Sequence, residues 1–149
     1  MGLTKSLKWA FFAVWRNSGK TPTKHGVSVI NKWHSVNVGG LPSNFDFPDY
    51  RRPERMIVGP NATMHSSPFE FTIEELNQIR EGLARCYIWG WIDYNDVFVG
   101  TDRHRSEFCF ELKVIGNPIY TAGGFGYPRH GPFNGFDAEC MRSPKPYAS

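Results

Sequence analysis

The sequence predicts a mainly β protein in which two sheets pack face to face and one short helix sits in a crossover connection. Three observations carry that expectation. Aromatic residues make up 15% of the chain and hydrophobic residues 40%, enough to build a core and to exclude disorder throughout. The 15 glycines and 11 prolines among 149 residues interrupt the chain too often for a long helical bundle. The breakers are also unevenly spread: residues 61–115 hold only Pro68, Gly82, Gly90 and Gly100, whereas 116–149 hold six Gly and five Pro. A β-sandwich domain is therefore placed at 1–115 and a Gly/Pro-rich loop or tail at 116–149.

Leu7 to Trp15 is apolar on both sides and reads as one strand inside a packed sheet. Asn17-Ser18-Gly19-Lys20-Thr21-Pro22 is a strong turn signal, and Gly26 to Trp33 then alternates apolar and polar as a strand with one wet face. Paired breakers across 38–60 mark an irregular connection with a short edge strand near Met56 to Val58. One helix is well signalled. Thr72 caps it, Glu75 completes a capping box, Phe71 and Leu76 form a staple, and Ile73, Leu76, Ile79 and Leu83 make an apolar stripe that Gly82 ends. About ten residues of helix are too short to stand alone in water, so the helix must pack on something.

Cys86 to Tyr94 and Ser106 to Val114 are the central strands, rich in rings and β-branched residues. Gly100-Thr101 between them suits a two-residue turn with glycine first. That turn pairs Trp91 with Phe110, Trp89 with Leu112 and Tyr87 with Val114, and it keeps Asp93 from lying opposite Glu107. At least five strands, a crossover helix and a loop-rich tail fit an immunoglobulin-like β-sandwich, with a partly open barrel as second choice.

Two stretches carry a resemblance. Arg16-Asn17-Ser18-Gly19-Lys20-Thr21-Pro22-Thr23 is similar to the N-x-G-x-T-P-A turn of many bacterial immunoglobulin-like domains, with Thr23 in the place of the usual Ala. Tyr87 to Phe98, followed by His104 and Phe108-Cys109-Phe110, resembles the pattern Y-x-x-G-x-I-x-Y-x-D-x-F … H-x-x-x-F-C of proteobacterial membrane-anchored proteins with an immunoglobulin-like extracytoplasmic domain. The likeness covers about residues 10–112. It implies a fold, an upstream membrane anchor and a place outside the cytoplasm, and it carries over no catalytic residue. The expectation is a shortened member whose anchor lies upstream of Met1.

Chemistry is sparse. Asp93, Asp96, Asp102, His104 and Glu107 cluster near one hairpin. Asp96, Asp102 and His104 are candidate ligands for a divalent metal or partners in acid/base catalysis. Their structural alternative is that Asp96 caps a turn and His104 anchors the loop. Tyr87, Trp89 and Trp91 are candidates for an aromatic platform that stacks on a sugar or peptide, against a role as core. No HExxH, calcium-loop or nucleophile-elbow pattern occurs, and no cofactor is expected. Cys86, Cys109 and Cys140 leave three possibilities open: free thiols, one pair, or metal ligands; alternation puts Cys109 on the face of Glu107, Glu111 and Lys113, where a solvent-accessible thiol is expected.

The net charge of +3 is too small to define a partner, and Arg51-Arg52-Pro53-Glu54-Arg55 is too narrow a basic run for a nucleic-acid interface. The longest apolar run, Trp9 to Trp15, is far short of the about 20 residues of a membrane span, and no small-residue cleavage site follows it. The expected function is a non-enzymatic module for protein interaction or structure in a bacterial envelope protein. The alternatives are a carbohydrate- or ligand-binding module using exposed rings, and a metal-dependent enzyme centred on the Asp96–His104 hairpin.

Overall fold

A computed structural model describes residues 8–36, 39–117 and 124–147. Leu7, where the first strand is expected to begin, and residues 118–123 of the Gly/Pro-rich segment lie outside the described residues. In chain order the elements are β1 (Lys8–Phe11), β2 (Val14–Arg16), β3 (Lys24–Ser35), β4 (Glu54–Met56), β5 (Thr63–His65), β6 (Phe69–Thr72), α1 (Ile73–Arg80), β7 (Arg85–Asn95), β8 (His104–Glu111), β9 (Lys113–Val114), β10 (Phe125–Gly126) and β11 (Gly135–Phe136). A single 3-10 turn, Asp137–Glu139, follows. The protein is mainly β with one short helix, and among the described residues no helix is long and apolar enough to cross a membrane.

The frame is a five-stranded antiparallel sheet in the order β11-β8-β7-β3-β4. Strand β7 is its axis, buried along most of its length between β3 and β8. Gly90 sits at mid-strand because a Cβ there would come within 2.5 Å of the Val29 carbonyl oxygen and 2.6 Å of Ile30 Cδ1. Side chains alternate between two faces. Cys86, Ile88 and Ile92 share one with Ile30, Phe108 and Phe110; Tyr87, Trp89, Trp91 and Asp93 share the other with Val29, Asn31, Arg105, Glu107 and Cys109.

Regular elements cover the first face. Strand β1 pairs with β6 and β2 with β5, giving an interrupted ribbon whose Phe11, Trp15 and Phe69 pack with α1, β9 and β10 on Ile30, Cys86 and Ile88. The single strand expected over Leu7 to Trp15 is broken because Phe12-Ala13 stands opposite the longer Ser66-Ser67-Pro68, and Pro68 has no N–H to continue a ladder. Ser66 heals the gap: its Oγ accepts from Ala13 N at 2.8 Å and its own N–H donates to Ala13 O at 2.9 Å.

Helix α1 forms as its sequence dictates. Thr72 Oγ1 accepts from Glu75 N at 3.1 Å and Glu75 Oε1 accepts from Thr72 N at 3.3 Å, while Phe71, Leu76 and Ile79 face the core. Leu83 does not extend the stripe. The chain turns away at Gly82 (φ 77°), which leaves Leu83 exposed.

The second face is covered by coil. Residues 41–50 and the segment from Pro128 onward lie over it, and Phe47 and Phe133 stack at 4.7 Å between centroids above Trp89. The register differs from the expected one. Tyr87 stands opposite Glu111, Trp89 opposite Cys109, Trp91 opposite Glu107 and Asp93 opposite Arg105. The indoles therefore share no face with Phe110, and Gly100-Thr101 lies inside a longer loop, residues 96–103, rather than forming a two-residue turn. Two physical terms decide this. Asp93 gains an arginine opposite it, and the hydroxyl and amides of the longer loop find a carboxylate at Asp96. Cys109, expected to be accessible, is fully buried beneath the C-terminal coil.

Candidate functional site

Strands β7 and β8 end side by side, which places Tyr94 opposite His104. Asp96, just beyond β7, folds the loop back: its Oδ1 accepts from Phe98 N at 2.9 Å and from the Thr101 hydroxyl. Its Oδ2 faces His104 Nε2 at 3.2 Å, and on the other side of the ring Asp137 Oδ2 faces Nδ1 at 3.1 Å. The imidazole also stacks on Tyr94, centroids 5.2 Å apart. Burial opposes its charge, but bonds to Asp96 and Asp137 and their charges outweigh that and hold the His104 pKa above its ordinary value. Asp96 moves the opposite way, lowered by its Thr101 and His104 bonds. Each ring nitrogen thus faces a carboxylate, an arrangement that favours the protonated ring.

Beside it lies a cleft of about 450 Å³ between the Arg16–Thr23 turn and the hairpin, lined by Trp15, Asn17, Ile92, Tyr94, His104 and Ser106. The turn is rigid. Asn17 Nδ2 donates to Thr21 O at 2.7 Å and Val58 O at 3.1 Å, and Gly19 N donates to Asn17 Oδ1 at 2.9 Å. Thr23, standing where alanine is usual in the turn it resembles, accepts from Val58 N through its hydroxyl at 3.0 Å. Ser106 is on the strand face of His104, but a general base needs a free lone pair, and both ring nitrogens already face carboxylates.

The expected hairpin cluster separates. Asp96 and His104 come together, joined by Asp137, a residue the sequence reading missed. Asp102 is exposed on the loop and takes no part in the His104 clamp. Asp93 and Glu107 go to the opposite sheet face, where Arg105 Nη1 donates to Asp93 Oδ1 at 3.2 Å and Nε to Glu107 Oε2 at 2.9 Å. All three side chains of this ion group are out of contact with solvent. Burial, the largest influence, raises the Asp93 pKa even against the Lys145 N–H bond and the Arg105 charge. Among the described residues no group of three or more His, Cys, Asp or Glu side chains is placed to hold a metal ion.

Tyr87, Trp89 and Trp91 are buried, with relative exposures of 0, 0 and 1%. Both indoles are tied to the 41–50 coil: Trp89 Nε1 donates to Pro48 O at 3.2 Å and Trp91 Nε1 to Asp49 Oδ1 at 3.0 Å. With that coil and the Lys145 side chain in place, none of the three rings is open to stack on a ligand. A different aromatic groove of about 430 Å³ opens on the other face, between Phe12, Trp15, Phe69, Phe108, Phe110 and Tyr127. Cys86, Cys109 and Cys140 are unpaired; burial pushes the first two thiols up to about 12 and Cys140 to about 11, so none is a ready nucleophile at neutral pH.

Compared with protein-family models, with curated proteins and with solved structures, the chain shows no match.

Proposed function

We propose that the chain is a non-enzymatic β-sandwich module of the immunoglobulin-like kind, serving protein interaction or structure in a bacterial envelope protein. The observation that carries this reading is the His104 clamp. The histidine best placed for chemistry faces a carboxylate on each ring nitrogen, and it joins the β7–β8 loop to the C-terminal turn. Catalytic histidines need a nitrogen free to take or deliver a proton. The antiparallel sheet with an interrupted second layer supports the sandwich, and the Asn17 turn supports the immunoglobulin-like kind through its likeness to such domains. The same likeness supplies the place outside the cytoplasm and the upstream anchor.

The test pairs the wild-type chain with His104→Gln and Asp96→Asn. Each is assayed against chromogenic esters, phosphomonoesters and glycosides, with and without added Zn²⁺ or Mg²⁺. The expected result is the same background rate for all three proteins and a lower unfolding temperature for both variants. A wild-type rate that disappears in folded His104→Gln overturns the reading in favour of an enzyme. The aromatic groove beside Phe110 favours a second reading, a module for an apolar ligand, because open concave rings are the usual lining of such sites. An environment-sensitive apolar dye that Phe110→Ser abolishes would favour it.

A further inference from the structure

The segment Arg142-Ser143-Pro144-Lys145-Pro146-Tyr147 runs without regular structure across the indole-bearing face of the sheet. Its main chain is gripped by two strand side chains, Asp93 and Glu107, and by Arg103 just before β8. Asp93 Oδ2 accepts from Lys145 N at 2.9 Å, Arg103 Nε donates to Lys145 O at 2.7 Å, and just upstream Glu107 Oε1 accepts from Met141 N at 2.6 Å. Its side chains meet complementary groups. Lys145 Nζ lies 4.9 Å from the Trp91 ring centroid and 3.4 Å from Asp49 Oδ2, and Arg142 Nη1 donates to Phe47 O at 3.2 Å. Tyr147 packs its ring on His25 at 4.4 Å, with the Arg55 and Arg103 guanidinium groups 5.1 and 5.7 Å from its centroid.

That pattern is the grammar of peptide recognition. Prolines on both sides of a lysine pre-set an extended backbone at little entropic cost, and an aromatic-lined surface with nearby carboxylates reads the cation. Lys145 itself is exposed, while the groups beneath it are buried, Trp91 at 1% and Asp93 at 0%.

We infer that the sheet face over Trp91 is a docking surface for an extended, basic, proline-flanked peptide, and that Arg142–Tyr147 occupies it in cis until a partner protein's segment of the same chemistry displaces it. This rests on the interaction reading above and names the partner's chemistry and its competitor. A tethered occupant acts at an effective concentration of the order of millimolar, so a partner meets a closed site unless the cis segment is weakened.

The experiment uses the full chain and a labelled synthetic peptide, Met-Arg-Ser-Pro-Lys-Pro-Tyr, with a control carrying Glu for Lys. Binding is read by peptide anisotropy and tryptophan emission in wild type and in Arg142→Ala/Lys145→Glu. The expected result is a folded variant that binds the lysine peptide at least about tenfold more tightly than wild type, and the glutamate peptide not at all. A folded variant that binds neither peptide, or both alike, overturns the inference. So does a variant that no longer folds, because the segment is then part of the core and not a docked ligand. These outcomes leave the His104 assay untouched, and a rate lost in His104→Gln leaves peptide binding untouched, so the two failures are separable.

Discussion

The two faces of the central sheet are covered by opposite means. Over Cys86 and Ile88 lie strands and a helix, whose backbone groups are satisfied within their own ladders, so the facing side chains can be wholly apolar. Over Trp89 and Trp91 lies coil, whose amides have no ladder. There the strands supply the acceptors. Asn31 Oδ1 takes Tyr50 N at 2.7 Å, Asp93 Oδ2 takes Lys145 N at 2.9 Å, and Glu107 Oε1 takes Met141 N at 2.6 Å. Polar residues buried in a strand are thus a consequence of what covers them, and the penalty of desolvating them is offset only while every partner stays in place.

The sharpest way to break that contrast is Arg105→Leu. It strands Asp93 and Glu107 without their cation, and a loss of about 3–5 kcal/mol in urea unfolding is expected. Replacing all three by Leu, Asn and Gln together should recover a large part of it, because no buried charge is then unpaired. On the apolar face the same kind of experiment has a different signature. Phe71→Ala should cost about 3–5 kcal/mol as transfer and cavity energy, and Phe71→Leu less, since it keeps most of the volume and loses only the ring contacts with Lys32, Phe11 and Phe69. If Phe71→Leu proved as costly as Phe71→Ala, the apolar face would not be held by packing alone.

The helix and the position of most strands were legible in the sequence because their signals are local. Thr72 and Glu75 make a cap within one turn, and β7 declares itself by composition. The register was not legible. Glu107 and Glu111 alternate with Phe108 and Phe110 as a solvent face would, and nothing near them in the chain shows that the segment from Pro128 onward returns to cover them. The site was half legible for the same reason: Asp96 and His104 flank one loop, whereas Asp137 reaches the ring from a distant glycine- and proline-rich stretch. Arg105 was overlooked because an arginine between two candidate ligands reads as a solvated charge.

Smaller effects sharpen the picture. Thr72→Ala removes the cap's acceptor and should cost about 1 kcal/mol, measured as a shift in the urea midpoint with unchanged slope. The His104 clamp should contribute a pH-dependent part of stability. Its pKa is raised in the folded chain, so its contribution is complete below the ordinary histidine value of about 6.5 and is lost as pH rises through the folded value. Unfolding temperatures of wild type and His104→Gln followed from pH 5.5 to 9, roughly spanning that titration, should therefore converge on the alkaline side. Curves that stay parallel across the range would remove the imidazolium from the clamp.

The most direct measurement is amide hydrogen exchange at Tyr50, a coil residue whose N–H donates to the buried Asn31 side chain. Slow exchange in wild type, fast exchange in Asn31→Leu and unchanged slow exchange at Val29 and Trp91 are expected. A Tyr50 amide that exchanges at an unprotected rate in the wild-type chain would contradict the claim that strand side chains seal the coil onto the sheet.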